Sequence, residues 1–370
     1  MAISWVAVNA NSGMIIGDLP TLSAGGALKQ TLMRYESQTA NLPIGDDPPE
    51  GWRQATRPGA VFLVALSEPE ENEPRGLPLW GGLIIRRTRK VGNGVDLSLV
   101  TAEGYFDRVY VEDEAFTATA QNIIVKTMAE KYAKTTVTKR GLPLRVQIVG
   151  GNGVLRDKNT WKDAADKTLY SALTDFSGLI GGSEWTVGWE WVDEEKLGLV
   201  LYVGDRIGRT PPAGLGPAAQ FSLPGSVTEA ELVEGYGADE GANDVMAVST
   251  GTEGARPQSP HQKVTTDLRP RFEYRWTPES DIKDISTLTA HAQRALAAMK
   301  DGSLAMTLTA NRGEAPKLGL DWFIGDDVGF DIEAPEFPDG LVGTARCVGW
   351  ELTDETITPL IDVTAVRGID

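Results

Sequence analysis

Apolar positions in the first hundred residues either alternate with polar ones or run unbroken over strand lengths. They fall at Ile3–Val8, Leu28–Met33, Ala60–Leu66, Trp80–Arg87 and Gly94–Val100, with Gly, Pro and Asn between them. That spacing predicts short strands packed as an antiparallel barrel or sandwich. Two stretches between them, Pro43–Pro58 and Glu68–Pro78, are rich in proline, glycine and acid and predict exposed hairpin tips or connecting loops.

The period then changes. Ile123, Ile124, Met128 and Tyr132 recur at helical spacing after Thr119, which predicts a helix capped by that threonine. A second helix is expected from a cap at Thr160, with Asp163 in the capping-box position, through Leu169, Leu173 and Phe176 to the glycines at 178, 181 and 182. The sharpest alternation in the chain follows. Trp185, Val187, Trp189 and Trp191 fall on one face of a strand, and Leu197, Leu199, Leu201 and Val203 on one face of the next, joined by Asp193–Lys196. Alternating indoles suit a platform for stacking sugars. They also suit a core, and the match between the two apolar faces favours the core.

Arg209–Gly225 is a connector rich in Pro, Gly and Ala. Beyond it come an aromatic strand at Arg271–Trp276, an amphipathic helix over 284–300, a strand at Ser303–Ala310, a turn at Gly325–Asp327 and two strands ending at Val366. The fold class expected is mainly β with an α+β insertion. Its parts are a first β domain at 1–115, an α/β insertion carrying the tryptophan hairpin at 116–210, and a second β domain at 211–370.

Charge and composition narrow the function. The 370 residues exceed what one core ordinarily supports, which agrees with several domains. A formal charge of −17 argues against sequence-independent nucleic-acid binding, which needs clustered Lys and Arg. The same charge serves solubility, or a surface past which DNA slides without sticking. No basic residue lies between Arg209 and Arg256 or between Lys317 and Arg346, whereas both stretches are dense in Asp and Glu. One cysteine, Cys347, excludes an internal disulfide framework and a Cys-cluster metal site, and its strand context predicts a buried small hydrophobe. No apolar run is long enough for a helical membrane span, and the N-terminus lacks the layout of a signal peptide, so a chain made in a cytoplasm is expected.

Candidate chemistry is sparse. The two histidines, His261 and His291, have no nucleophile or metal partner at a recognisable spacing. Gly150–Gly153 is glycine-rich but lacks the lysine of a phosphate loop and reads as a plain loop. A glycosidase needs two carboxylates across a cleft, for which Glu112, Asp113, Glu114, Glu184 and Glu190 are the candidates, and the sheer abundance of acid makes that signal weak. Gly325-Asp326-Asp327 lacks the spacing of a calcium loop and reads as a tight turn.

Pro78–Arg86, Thr289–Leu296, Leu318–Ile332 and Gly349–Val363, taken with the order of the C-terminal elements, resemble the baseplate hub, or tail-associated minor tail protein, of long non-contractile-tailed bacteriophages. The likeness is closest to the form found in phages of actinobacteria and covers nearly the whole chain. The resemblance implies two tail-tube-like antiparallel β-barrels separated by a small helical insertion. It implies a homotrimeric ring of pseudo-sixfold inner symmetry at the tail tip of the virion. Implied partners are the tail tube and distal tail ring proteins, the tape measure protein and further tail-tip or receptor-binding proteins, with DNA only as transient cargo. No cofactor, no metal and no enzymatic role are implied, since the chain stops where relatives append lytic domains. Within that picture Glu229, Glu231, Asp326, Asp327 and Asp331 are expected to line the DNA channel, and Trp185, Trp189 and Trp191 to form a core hairpin. A carbohydrate-binding adhesin using the tryptophan face, or a glycan hydrolase, is the alternative.

Overall fold

The computed structural model describes residues 3–362 apart from 46–47, 71–72, 93, 135–139, 180, 252–255, 267 and 279–281. Strand makes up 48% and helix 14%, so the protein is mainly β. The first part runs β1 (Ser4–Asn9), β2 (Ile15–Asp18), β3 (Ser23–Ala24), β4 (Leu28–Thr31), β5 (Ser37–Leu42), one-turn α1 (Trp52–Ala55), β6 (Val61–Leu66), β7 (Pro78–Lys90), β8 (Gly94–Thr101) and one-turn α2 (Glu103–Phe106). Then come β9 (Glu114–Ala120), α3 (Gln121–Tyr132), β10 (Leu144–Val149), β11 (Leu155–Trp161), α4 (Leu169–Ser177), β12 (Glu184–Asp193) and β13 (Lys196–Gly204). The remainder is β14 (Gln220–Leu223), β15 (Val227–Gly235), β16 (Asp244–Ala247), β17 (Gln262–Lys263), β18 (Glu273–Trp276), α5 (Ile285–Met299), β19 (Ser303–Asn311), β20 (Asp327–Ala334), β21 (Phe337–Leu352) and β22 (Thr356–Asp362).

Two seven-stranded sheets dominate. The first has the order β2-β1-β6-β7-β8-β5-β3; the second has β14-β20-β21-β22-β19-β15, with β4 added against β21. Neither path closes on itself among the described residues, so both are open sheets where closed barrels were expected. By contact density the chain divides into one unit within Met1–Glu229 and Leu308–Ile361 and another within Ala230–Thr307.

In the larger unit a single core joins the first sheet to the expected insertion. Val6, Phe62 and Val64 share it with Ile124 and Met128 of α3, Leu173 of α4, and Trp185 and Leu199 of the tryptophan hairpin. The change of period near residue 115 is therefore a change of element type inside one continuous core. In the smaller unit α5 lays Leu288 and Ala292 against Val245 and Ala247 of the short sheet β17-β16-β18. Asp284 starts that helix by accepting from the Thr287 amide at 2.9 Å.

The two expected caps fail for the same reason. Thr119 and Thr160 belong to strands β9 and β11, paired with Arg156 and Ala115, and this ladder holds their backbones extended. Helix α3 begins instead at Gln121, whose amide, like that of Asn122, donates at 3.0 Å to the carbonyl of Val154 or Asn152 in the glycine loop. Helix α4 begins at Leu169 under a cap from Thr168, whose hydroxyl accepts from the Ser171 amide at 3.2 Å. Asp163 lies in a short 3-10 turn ahead of it.

The tryptophan hairpin forms with Trp185 opposite Val203, Trp189 opposite Leu199 and Trp191 opposite Leu197. Indoles and aliphatic chains thus share one face, and β10 adds to β13 in parallel. The short segment Leu28–Met33 ties this sheet to both large ones. Its strand β4 pairs Leu28 with Leu352 and Thr31 with Gly349, the Lys29 carbonyl accepts from the Trp80 indole at 2.9 Å, and the Met33 amide donates to the Trp185 carbonyl at 3.1 Å. Replacing the fully buried Trp185 by alanine is expected to cost about 3–5 kcal/mol in urea unfolding, because the cavity would open where three sets of elements meet.

Candidate functional site

The three tryptophans of the hairpin are turned against protein. Trp185 is fully buried. Trp189 is half-buried and meets Phe62 edge-on at 5.1 Å, and a Cβ on Gly81 would stand 2.4 Å from its ring, so glycine is required there for the indole to lie flat on β7. Trp191 donates its indole N–H to the Gly76 carbonyl at 2.9 Å and carries the Arg75 guanidinium 4.3 Å above its ring.

The five acids expected at a channel separate into three settings. Asp326 is only 3% exposed and accepts from the Arg209 amide at 2.6 Å, Arg209 Nε at 2.9 Å and the Phe323 amide at 3.1 Å. Asp327 accepts from Arg206 at 2.5 Å. Both charges are thus compensated in place. Asp331 is half-buried on β20, on the opposite face from the buried Phe330 and Ile332. Glu229 and Glu231 are exposed on β15, the terminal strand of the second sheet.

The carboxylates considered for catalysis are also engaged. Arg346 grips Glu184 with two parallel bonds of 2.6 and 2.5 Å, while Glu184 accepts from the Ile207 amide at 2.7 Å. Arg145 chelates Glu190 at 3.0 and 2.7 Å. Asp113 pairs with Lys162 at 3.1 Å, Glu112 with Lys131 at 3.6 Å, and Glu114 with Lys131 and Tyr132. Together the pairs Arg209–Asp326, Arg206–Asp327 and Arg346–Glu184 clamp the chain after β13 onto the turn before β20. At that turn Gly325, with φ of +92°, brings backbone so close to Ile207 that a Cβ would fall 2.4 Å from its carbonyl oxygen.

Beside this clamp a cleft of 510 Å³ opens between Trp189 and Tyr202 of the hairpin, Leu79 of β7, and Phe323 and Trp350. Its walls are mainly apolar, and the pinned Asp326 is the one acid among its described lining residues. Paired free carboxylates for glycoside hydrolysis are therefore missing from this lining.

The smaller unit gathers Asp244, His261 and Glu273 at metal-ligand distances. Asp244 is 2% exposed, but it already takes His261 at 2.5 Å, Arg271 at 2.5 Å and Lys263 at 3.5 Å. Burial alone would raise its pKa; the bonds from His261 and Arg271 outweigh that and hold it below the ordinary value. Two resident cations in the ligand shell make this an ion-pair network, poorly suited to a metal. His291 stacks flat on Trp276 at 4.2 Å. Burial pushes the Cys347 thiol up to about 12, which leaves it a core residue without thiolate character.

One residue had no signal in the sequence. Glu103 on α2 is fully buried, and it accepts from the Val187 amide of β12 at 3.0 Å while the Gln30 side chain donates to the Val187 carbonyl at 2.7 Å. These bonds, with that from Met33 to Trp185, satisfy the outer edge of β12. Burial is the chief cause that pushes the Glu103 carboxyl up to about 7.

Comparison with solved structures places the fold. The chain is similar to the 43 kDa tail protein of prophage MuSo2 from Shewanella oneidensis, with a TM-score of 0.58 and 10% identity over 97% of this chain and 98% of that one. It is similar to a tail protein from Neisseria meningitidis MC58 at a TM-score of 0.55 and 13% identity, covering 98% and 96%. A third similarity is to the Francisella PdpA–VgrG complex in its lidded form, at a TM-score of 0.57 and 8% identity, where all of this chain covers 53% of the other. No protein-family model and no curated protein matches the sequence. At such identities the likeness is one of fold: the chain shares the fold of these two tail proteins over nearly its whole length.

Two outcomes test the site. Replacing Arg346 with methionine leaves Glu184 largely buried and unpaired, and is expected to destabilise the protein by about 3 kcal/mol in chemical denaturation. Because the folded Glu103 holds its proton more tightly than an ordinary carboxyl of 4.5, its contribution is fully present below pH 4.5 and is lost as the pH rises through about 7. The loss is on the order of 3 kcal/mol. Glu103→Gln is expected to flatten that part of the stability profile between about pH 5 and about pH 8.

Proposed function

We propose that this protein is a structural baseplate hub subunit of a long non-contractile phage-type tail, three copies of which form a ring that ends the tube and surrounds the DNA channel. The observation that carries the reading is the fold likeness to two tail proteins, one of them from a prophage, each matched over nearly its full length. In this reading each seven-stranded sheet supplies one tube-like wall, so that three copies present six. The described site agrees with a structural role, since its acids are bound to arginines and amides. Neighbours are the tube, the distal tail ring, the tape measure and receptor-binding proteins, and DNA passes as cargo. The narrower assignment to the hub of actinobacterial phages rests on the order of the C-terminal elements.

Of the acids expected at the channel, Asp331, with the neighbouring Glu333 on the same strand, retains the role of repelling DNA phosphate, because it projects from the solvent face of the second sheet. An acidic wall offers the phosphates no counterion release and hence no retention. Light scattering of the purified protein, together with immunogold labelling of tails, tests the assignment. Three-copy particles and label confined to the tail tip are expected. A monomer at all concentrations, or label along the tail shaft, would overturn it. Asp331→Lys with Glu333→Lys is expected to slow genome ejection, most at low salt.

A further inference from the structure

Among the described residues, two of the unpaired strand edges carry opposite charge. The first lies on β7. Strand β6 accompanies β7 only as far as Leu83, opposite Phe62, and a final bond runs from the Gly59 amide to the Ile84 carbonyl at 2.6 Å. From Ile85 to Lys90 the β6 side of β7 has no strand partner among the described residues, while β8 pairs the other side. This free stretch reads Ile-Arg-Arg-Thr-Arg-Lys, a run of four cations in a chain of charge −17. Ile85, Arg86, Arg89 and Lys90 are exposed. Lys90 meets Asp96 at 3.4 Å, and Arg87 reaches back to the Arg53 carbonyl at 2.7 Å. Burial and then the charge of Arg89 lower the Arg87 pKa.

The second edge is β15, the last strand of its sheet. Thr228, Glu229, Glu231, Val233 and Glu234 are exposed along it, with Val233 at 50%. Glu229 and Glu231 point the same way, about 7 Å apart. No basic residue occurs between Arg209 and Arg256 to neutralise them within their own stretch of chain.

We infer that the cationic edge Arg86–Lys90 of one copy docks on the acidic edge Glu229–Glu234 of a second copy of this chain. An open edge offers a row of backbone N–H and C=O groups that only another strand uses fully, and charged edges select an oppositely charged partner over an identical one. Each copy presents one edge of each sign, so the contact is head-to-tail and continues until rotation closes a ring. A nucleic acid would use the arginines but leave the backbone groups unpaired. The inference rests on the ring reading above in that it needs a second copy, and it names the surfaces that reading leaves open.

Arg86→Glu with Arg89→Glu, and Glu229→Lys with Glu231→Lys, are to be compared with wild type by light scattering at about 50 mM and about 500 mM salt. Either pair is expected to weaken self-association at least about tenfold, and mixing the two charge-reversed proteins to restore contact between unlike copies, as dimers where an odd ring cannot alternate them. Because the native cysteine is buried, Arg86→Cys mixed with Glu231→Cys provides a second readout, with a disulfide-linked dimer expected on a non-reducing gel. Self-association that neither reversal alters, with no crosslink, overturns the inference while leaving the ring reading intact. A wild-type protein that never self-associates overturns both. If the arginine reversal abolishes binding to duplex DNA and leaves association unchanged, the edge is a nucleic-acid surface and the inference fails.

Discussion

Six consecutive residues, Leu28–Met33, satisfy backbone groups in parts of the larger unit that have no other means of satisfying them. As β4 they extend the edge of β21 beyond the reach of β20, and the Leu32 amide continues the pairing to Val348 at 2.9 Å. Their side chains and flanking amides close the outer edge of β12. An unpaired buried amide or carbonyl costs roughly 1–3 kcal/mol. Shifting this segment by one residue would release several such groups at once and turn Leu28 and Gln30 to the wrong faces. The cleft, which Gln30 lines, and the setting of Trp185, whose carbonyl Met33 holds, presuppose that register.

The clamp itself is not a source of large net stability. Guanidinium and carboxylate groups withdrawn from water recover in pairing roughly what desolvation costs them. What they contribute is geometry: Arg346 reaches Glu184, Ile207 and Gly325 from one side chain, so the chain leaving β13 can meet the turn before β20 in only one way. The acidic composition thus has two physical fates. Some carboxylates are pinned as structural joints, and the rest remain on solvent faces as charge.

Elements whose signal is local were legible in the sequence. The alternation at Trp185–Trp191 and Leu197–Val203 fixed a hairpin, and the spacing of Leu288, Ala292 and Met299 fixed α5. Helix starts were misplaced where a threonine suited to capping was already held by a β ladder, because cap propensity is weak beside strand pairing. Partnerships between distant segments, such as β4 with β21, β10 with β13 and Arg209 with Asp326, left no periodic trace at all. Glu103 shows the same limit, since its meaning lies in the Val187 amide it meets and nothing in its neighbours announces burial.

The partnership of β4 with β21 has a consequence for biosynthesis. Lys29 and Glu351, bonded across that pair, are 322 residues apart. A ribosome adding about 5–20 residues per second releases Leu28–Met33 many seconds before its partner strand exists. During that interval the side of β4 that will pair with β21 waits with open backbone groups, in competition with every other nascent copy on the same message. Strand β21 therefore acts as the closing step for β4, and folding of the larger unit waits for its synthesis.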